Sequence, residues 1–517
     1  MGLKAPARCH SEGARAFGPL PKEMNVAVIR SEARNLARDD AVDCEAMVDK
    51  IKFGTDGWRG VIAEDFTFAN VRRVSQAIAQ YVWEESDPAK GLVVGYDTRF
   101  LSAEFARHAS ETVAAWGIPV LLADGATPTP AVSYAVVARQ TAGAIMMTAS
   151  HNPYRWNGVK FKAPYGGSAP PSILHRIELH LRRLDRSTAR PRKRKPAAIQ
   201  TVDLVVPYLE RLKDLVHLER IRSSGRRFVI DPMYGAGRGC LARLFDEEEI
   251  PYREIHGEHN PLFPGMNPEP IEPHVEQLRH AVVEGNYDAG LATDGDADRV
   301  GAMDRTGTFI DSHKIFSILL KHLAEDLGLR GEVVKSFSST EMVTKLARKY
   351  GLPLHVTPIG FKYIGELMLT RDVLIGGEES GGIGIRGHLP ERDGLLNSLL
   401  LAEVMADRGR TLGELVQELT DEFGPHFYGR VDLEISKDVA QRIVRLVGRR
   451  EIKRIAGLKV TSVDDLDGVK MRFGNSGWLL VRASGTENVL RLYAEAPSSD
   501  QVKALLTEIE AFSRRQM

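Results

Sequence analysis

From about residue 90 the chain alternates short apolar runs with longer stretches in which apolar residues recur every three or four positions. LVVGY at 92–96 reads as a buried strand, as do IPVLLA at 118–123, AGAIMM at 142–147, FVID at 228–231, YDAGLAT at 287–293, GEVVKSF at 331–337 and VLIGG at 373–377. Strands separated by helical stretches of roughly 10–15 residues predict α/β units with mixed or mostly parallel sheets. Ser102 is placed to cap the first of these helices and Gly117 to end it in a left-handed turn. The last hundred residues follow another rhythm, with a helix near 437–449, strands near 469–473, 477–482 and 489–494, and a closing helix from 500. The predicted fold is three related α/β domains with mixed sheets and a C-terminal α+β domain around a central cleft. The domains fall at 47–203, 204–305, 306–421 and 422–517. Residues 1–46 show no sustained periodicity and are expected to be a disordered tail, with Met24 or Met47 as alternative starts and order from near Lys50.

Three of the strands run straight into loops too polar and glycine-rich to be simple connectors: AIMMTASHNP, LATDGDADR and LIGGEESGG. Ligands of open α/β sheets gather at the carboxyl ends of strands, so three similar units would surround one cleft, and RASGTEN near the C-terminus would add a fourth loop.

Size and charge narrow the picture. A chain of 517 residues exceeds what one core spans, and no run approaches the ~18 apolar residues of a membrane helix. Lysine plus arginine and aspartate plus glutamate both number 69, so no overall field would recruit nucleic acid or acidic membranes. The basic run RSTARPRKRKP (186–196) lacks interleaved aromatics and reads as a solvated loop. Cys9, Cys44 and Cys240 fit neither a zinc spacing nor a disulfide framework, which places the chain in a reducing cytoplasm.

Asp294, Asp296 and Asp298 alternate at the end of a strand and can converge on one hard cation. A helix cap or turn would explain one of them but not three. An EF-hand is excluded, because Arg305 stands at its twelfth position. Ser150, in Thr148-Ala149-Ser150-His151-Asn152-Pro153, is not a nucleophile elbow; alone, the segment reads as an ordinary turn. Facing a cation site, with Lys160 downstream and the arginine of FGTDGWRG upstream, its hydroxyl can hold a phosphoryl group covalently. Arg482-Ala483-Ser484-Gly485-Thr486-Glu487-Asn488 has the makings of an anion nest, and a plain hairpin turn is the alternative. GEESGG offers Glu378 and Ser380 at alternate positions, suited to neighbouring sugar hydroxyls.

Together, FGTDGWRG, TASHNP with NGVK, DGDADR, GEESGG and RASGTEN resemble, in order over roughly residues 50–517, the α-D-phosphohexomutases, which include phosphoglucomutase and phosphomannomutase. The resemblance implies a Mg²⁺-dependent intramolecular phosphotransferase acting on hexose phosphates, with a sugar 1,6-bisphosphate as activator. By residue, it implies that Ser150 is the phosphoserine, completing a metal site of Asp294, Asp296 and Asp298, with Arg299 supporting it. Lys160, Arg59 and His151 fall near the transferring group, with Lys160 a candidate general base. Glu378 and Ser380 match the sugar-reading pair, and Arg482, Ser484, Gly485, Thr486 and Arg491 the phosphate clamp. Thr357, Gly360 and Lys362 lie in TPIGFK, which is similar to a loop of the phosphoglucomutase-type branch, although Lys362 also suits a plain surface lysine. Where other members carry histidine this chain has Gly382, so His388 becomes the alternative acid–base group. Glucose phosphate is expected to be preferred over mannose and glucosamine phosphates. A phosphatase and a catalytically silent sugar-phosphate-binding protein are the rival readings.

Overall fold

The computed structural model describes residues 51–54, 57–186, 194–485 and 488–517. The predicted tail and both alternative starts, Cys9, Cys44, most of the basic run and Thr486 lie outside them.

Four sheets account for most strands. The first has the spatial order Trp58–Val61, Trp156–Lys162, Ala144–Met147, Leu92–Tyr96, Val120–Ala123, Ile199–Val202, and its last four strands are parallel. The second sets Tyr252–Glu254, Phe228–Asp231 and Ala289–Thr293 in parallel, then adds Val300–Asp304 and Phe309–Ile310 antiparallel. In the third, Leu354–Thr357, Glu332–Ser336 and Val373–Gly377 are parallel and Ile383–Ile385 runs back along the edge. The fourth is antiparallel throughout, built around Trp478–Ala483 and Val489–Ala496. This is the expected class: three mixed α/β layers and a C-terminal α+β unit.

A return strand follows every glycine-rich loop. Ala144–Met147 pairs antiparallel with Trp156–Lys162, Ala289–Thr293 with Val300–Asp304, Val373–Gly377 with Ile383–Ile385, and Trp478–Ala483 with Val489–Ala496. The first three return strands are too buried to show alternation, so apolar pattern alone did not separate them from the loops.

The helix Ser102–Ala115 starts where expected, but Ser102 does not cap it. The cap position is Leu101 in the left-handed region, while the Ser102 hydroxyl donates to Asp97 Oδ1 at 2.7 Å. The buried Asp97 carboxylate is the stronger acceptor and takes the hydroxyl away from the helix end. Gly117 does adopt the left-handed turn, with φ 76°. One apolar core runs from Tyr208 to Leu419 across the second and third sheets. At its centre lies the helix Gly394–Arg408, buried from Gly394 to Met405 and capped by Asp393, whose Oδ1 accepts from Leu396 N. The fourth sheet packs Trp478, Leu480 and Tyr493 against Phe337, and Lys470 Nζ lies 3.8 Å from the Trp478 ring while donating to Phe337 O.

Candidate active site

Ser150 stands at the end of Ala144–Met147 in the left-handed region, φ 53°, rare for a non-glycine residue. Two anchors hold it there. Thr148 Oγ1 accepts its N–H at 2.8 Å, and the fully buried Arg99 donates to Ser150 O and Asn152 O, both at 2.6 Å, and to Pro153 O and Trp156 O. Its hydroxyl donates to Asp294 Oδ2 at 2.7 Å. The two loops meet this closely because residue 295 is glycine: a Cβ there would lie 2.4 Å from Ser150 O.

Asp294, Asp296 and Asp298 are fully buried, and an oxygen of each lies within 4.8 Å of the others. Asp294 Oδ1 accepts the N–H groups of Asp298 and Arg299. Lys160 Nζ reaches Asp296 Oδ2 at 2.8 Å and Asp298 Oδ2 at 3.1 Å. Thr129 Oγ1 donates to Asp296 Oδ2 and Arg392 binds Asp298 Oδ2 at 2.8 Å. Asp296 Oδ1 and Asp298 Oδ1 are buried without a hydrogen-bond partner. Bare carboxylate oxygens in a water-poor pocket are unfavourable unless a cation meets them, so the triad fits a hard divalent ion. Burial, then the charges of Asp296 and Asp298, push the Asp294 carboxyl well above its usual range. Burial also works against ionisation of Asp296, but the Lys160 ammonium outweighs it and holds that carboxyl below its usual range.

Arg299 Nε lies 3.9 Å from both Asp294 and Asp298, and Arg59 donates to Asn152 Oδ1 at 2.6 Å. His151 Nδ1 is 3.3 Å from Ser150 Oγ. Enclosure first, then the cations Arg299, Arg59, Arg430 and Arg491, keep its imidazole neutral to well below the usual histidine range.

A chain of polar contacts ties the remaining loops to this centre. Arg482 Nε donates to Asp467 Oδ1 at 2.9 Å, and Asp467 Oδ2 accepts from Ile359 N at 2.9 Å. Next in sequence, Gly360, with φ 131°, donates its N–H to Glu378 Oε1 at 2.8 Å. Glu378 lies 3.9 Å from Arg392, which returns to Asp298. Burial raises the Glu378 carboxyl to about 7. Thr357 is buried, Ser380 half-buried, and Lys362 sits 5.2 Å from the Tyr363 ring. Ser484 N closes the clamp loop on Val489 O, and Lys437 reaches Gly485 O. Arg491 Nε is 3.7 Å from Asp432.

Likeness to known proteins agrees with this geometry. The alpha/beta/alpha domains I, II and III of phosphoglucomutase/phosphomannomutase match residues 50–187, 206–307 and 311–423, and the C-terminal domain matches 443–512. The chain belongs to the phosphoglucomutase/phosphomannomutase family. Its enzymes are phosphohexomutases, a class of intramolecular phosphotransferases. A phosphoglucomutase/phosphomannomutase of Thermococcus kodakarensis is 29% identical over 455 residues, covering 88% of this chain and 96% of its own. A phosphoglucosamine mutase of Limosilactobacillus reuteri is 32% identical over 472 residues, 90% of this chain and 98% of its own. A crystal structure from Thermus thermophilus, assigned as a phosphomannomutase, superposes with a TM-score of 0.79 at 38% identity, covering 90% of this chain and 99% of that one.

His388 does not join the triad among the described residues: its Nε2 lies 2.8 Å from Asp393 Oδ2, beside Tyr208, whose hydroxyl binds the same carboxylate. Its ring orients a helix cap. The space at Gly382 is filled by Arg392, since a Cβ there would lie 2.1 Å from Arg392 Cδ. Sequence reasoning also missed Arg99, Thr129, Arg392 and Arg430. Arg99 was legible as a charge placed directly after a buried strand, and Arg392 as part of the ERDG run; nothing marked Thr129. Arg430 pairs with Asp432 and faces Tyr493 in cross-strand register, while Asp432 faces Arg491 and Arg491 faces Arg482. Three arginines thus crowd neighbouring strands of the fourth sheet, a grouping visible only once the strands are aligned.

Proposed function

We propose that this protein interconverts hexose 1-phosphates and 6-phosphates by carrying a phosphoryl group on Ser150, with glucose phosphate preferred. The observation that supports this most directly is the Ser150 hydroxyl at 2.7 Å from Asp294, within a carboxylate triad flanked by Lys160 and Arg299. A serine held in the left-handed region by Arg99 and Thr148 presents one oxygen to the pocket in a fixed direction, so its phosphoryl group arrives positioned for transfer.

The bond that breaks is Ser150 Oγ–P and the bond that forms joins phosphorus to a sugar hydroxyl, giving a bisphosphorylated sugar. The proton of that hydroxyl passes to a neighbouring base and is delivered to Ser150 Oγ as it departs, so the serine ends as a hydroxyl and gives that proton up again when it takes the other phosphate. Lys160 serves here as a charge on Asp296 and Asp298, whereas the neutral His151 imidazole lies 3.3 Å from Oγ and is the group we assign to the proton. In the second half the other phosphate returns to Ser150 and the hydroxyl is re-protonated. Mg²⁺ held by Asp294, Asp296 and Asp298 would supply neutralisation of the developing charge on the phosphoryl oxygens. Arg482, Arg491 and Ser484 hold the non-reacting phosphate, and Glu378 with Ser380 accept and donate to sugar hydroxyls in either orientation.

Relatives of both the phosphoglucomutase/phosphomannomutase and the phosphoglucosamine mutase kind align along nearly the whole chain, so overall likeness does not choose the sugar. The preference for glucose rests on TPIGFK and GEESGG, whose Gly360 and Glu378 are joined directly. The test has two arms. Intact mass should exceed the sequence mass by one phosphoryl group, and Ser150→Ala should lose that increment together with roughly 10³-fold or more of turnover. Glucose 1-phosphate should exceed mannose 1-phosphate and glucosamine 1-phosphate in kcat/KM with Mg²⁺ and the bisphosphate activator present. A lead for either rival sugar removes the preference and leaves the phosphoserine; a fully active Ser150→Ala removes the mechanism.

A further inference from the structure

Away from the cleft, the helix Gly394–Arg408 carries a second set of metal-ligating groups. Glu403 and Asp407 lie one turn apart on it, and His322 opens a π-helical turn, His322–Asp326, that continues the helix Ser312–Lys321. Such turns inside helices recur at functional positions. One ring nitrogen of His322 and one carboxylate oxygen from each acid lie within 4.8 Å of one another. His322 is 1% exposed. Its Nδ1 is 2.7 Å from Asp326 Oδ2, and its Nε2 is buried without a hydrogen-bond partner. With Nδ1 engaged by Asp326, Nε2 is the nitrogen left for the two acids, and no hydrogen bond or ion pair joins His322 to either of them among the described residues.

Each of the three groups is steadied from behind. Asp326 holds His322, His217 Nδ1 holds Glu403 Oε1 at 2.6 Å, and Arg220 holds Asp407 Oδ2 at 2.8 Å. That leaves Glu403 Oε2, Asp407 Oδ1 and His322 Nε2 for a shared partner. A carboxylate behind a ligating imidazole fixes its tautomer and raises its basicity toward a cation. A donor set of one imidazole nitrogen and two carboxylate oxygens suits zinc or cobalt better than magnesium, which prefers oxygen alone. Asp407 is exposed, so an ion has a path in and water can complete its shell.

We propose that His322, Glu403 and Asp407 form a second cation site, for a divalent ion of the zinc or cobalt class, separate from the aspartate triad. The outer partners are His217, at the N-cap of the short helix Leu218–Ser223, and Arg220 within it, a helix that packs on Gly394–Arg408 through the common core. The ion would tie the end of the helix Ser312–Lys321 to the helix Gly394–Arg408 within the third α/β unit.

The test uses the full chain, stripped by chelation and dialysed against zinc chloride with excess Mg²⁺ present to occupy the triad, with bound zinc measured by elemental analysis. One equivalent should remain bound, and substituting Co²⁺ should give the visible absorption of a low-coordinate site. Asp407→Asn, at an exposed position that threatens folding little, should weaken zinc binding about 10-fold or more, and His322→Gln should abolish the bound equivalent. Asp296→Asn should retain it. Neither Asp407→Asn nor His322→Gln should alter turnover with Mg²⁺. The proposal is overturned if the stripped protein binds no zinc, or if zinc is lost in Asp296→Asn yet unchanged in Asp407→Asn.

Discussion

The two charged regions of the cleft solve opposite problems. The triad of Asp294, Asp296 and Asp298 concentrates negative charge in a fully buried pocket, and compensates it internally with Lys160, Arg392 and the backbone N–H groups on Asp294. The arginine group of the fourth sheet, Arg430, Arg482 and Arg491, concentrates positive charge at a part-exposed face and tempers it with Asp432 and Asp467. In the first region most groups are locked by hydrogen bonds or ion pairs, as the proposed phosphoryl transfer would require. On the proposed mechanism the second would receive the phosphate of a sugar bound in two orientations, and a set of long side chains on a sheet face tolerates that change better than a buried socket does.

If this contrast holds, damage to the locked region should cost far more. Asp296→Asn removes one of the two counter-ions of Lys160 and one candidate metal ligand, and turnover should fall at least ~10²-fold, as should activity of the parent enzyme after chelation. A chelated enzyme that keeps full activity would refute the assignment of the triad. Gly295→Ala comes next, because its Cβ would drive the serine and metal loops apart. A shift of about 1 Å costs on the order of 10²-fold in turnover, and the loss should appear in kcat under saturating substrate. Arg430→Ala tests the adaptable side. Deleting one charge-assisted contact should raise KM about 10-fold while leaving kcat within a few-fold; an equal loss in kcat would mean that the arginine face is as rigidly engaged as the triad.

The smallest expected effect lies between the two regions, at Glu378. Its folded pKa of about 7 exceeds the unfolded value of 4.5, so the folded state holds the proton more tightly. That contribution is fully present below pH 4.5 and is lost as pH rises through about 7. At pH 8 the ionised side chain therefore strains the free protein. Glu378→Gln should raise its stability there by roughly 1–3 kcal/mol while impairing sugar binding, and the gain should vanish at pH 4. Thermal melts of both proteins at the two pH values decide it, and an equal gain at both would rule out titration as the cause.

Much of this architecture could be read from the chain before folding. The strands leading into the loops and the triad spacing were legible directly, because a buried parallel strand is a continuous apolar run and alternating carboxylates can converge on one point, whereas Ser150 alone read as an ordinary turn and drew meaning only from the company of the other loops. What escaped were partnerships across the sheet or between sheets. His388 has the chemistry of a proton donor, but its neighbour at 2.8 Å is the capping Asp393, and only the path of the chain after Ile385 determines that. Arg430 lies in a strand with no local motif, and its meaning comes from Tyr493 and Arg491 facing it and its neighbour. Arg392 fills the space above Gly382, a contact between residues ten apart that no local pattern announces.

The return strands carry a consequence for turnover. Each glycine-rich loop is clipped at both ends into the same ladder, so its closure entropy is settled when the chain folds. Among the described residues substrate therefore has little loop to order, and less of its binding free energy is absorbed in arranging the protein. On the proposed mechanism, with Ser150, the triad and Glu378 held on such short tethers, the group that would turn over between the two half-reactions is the sugar itself.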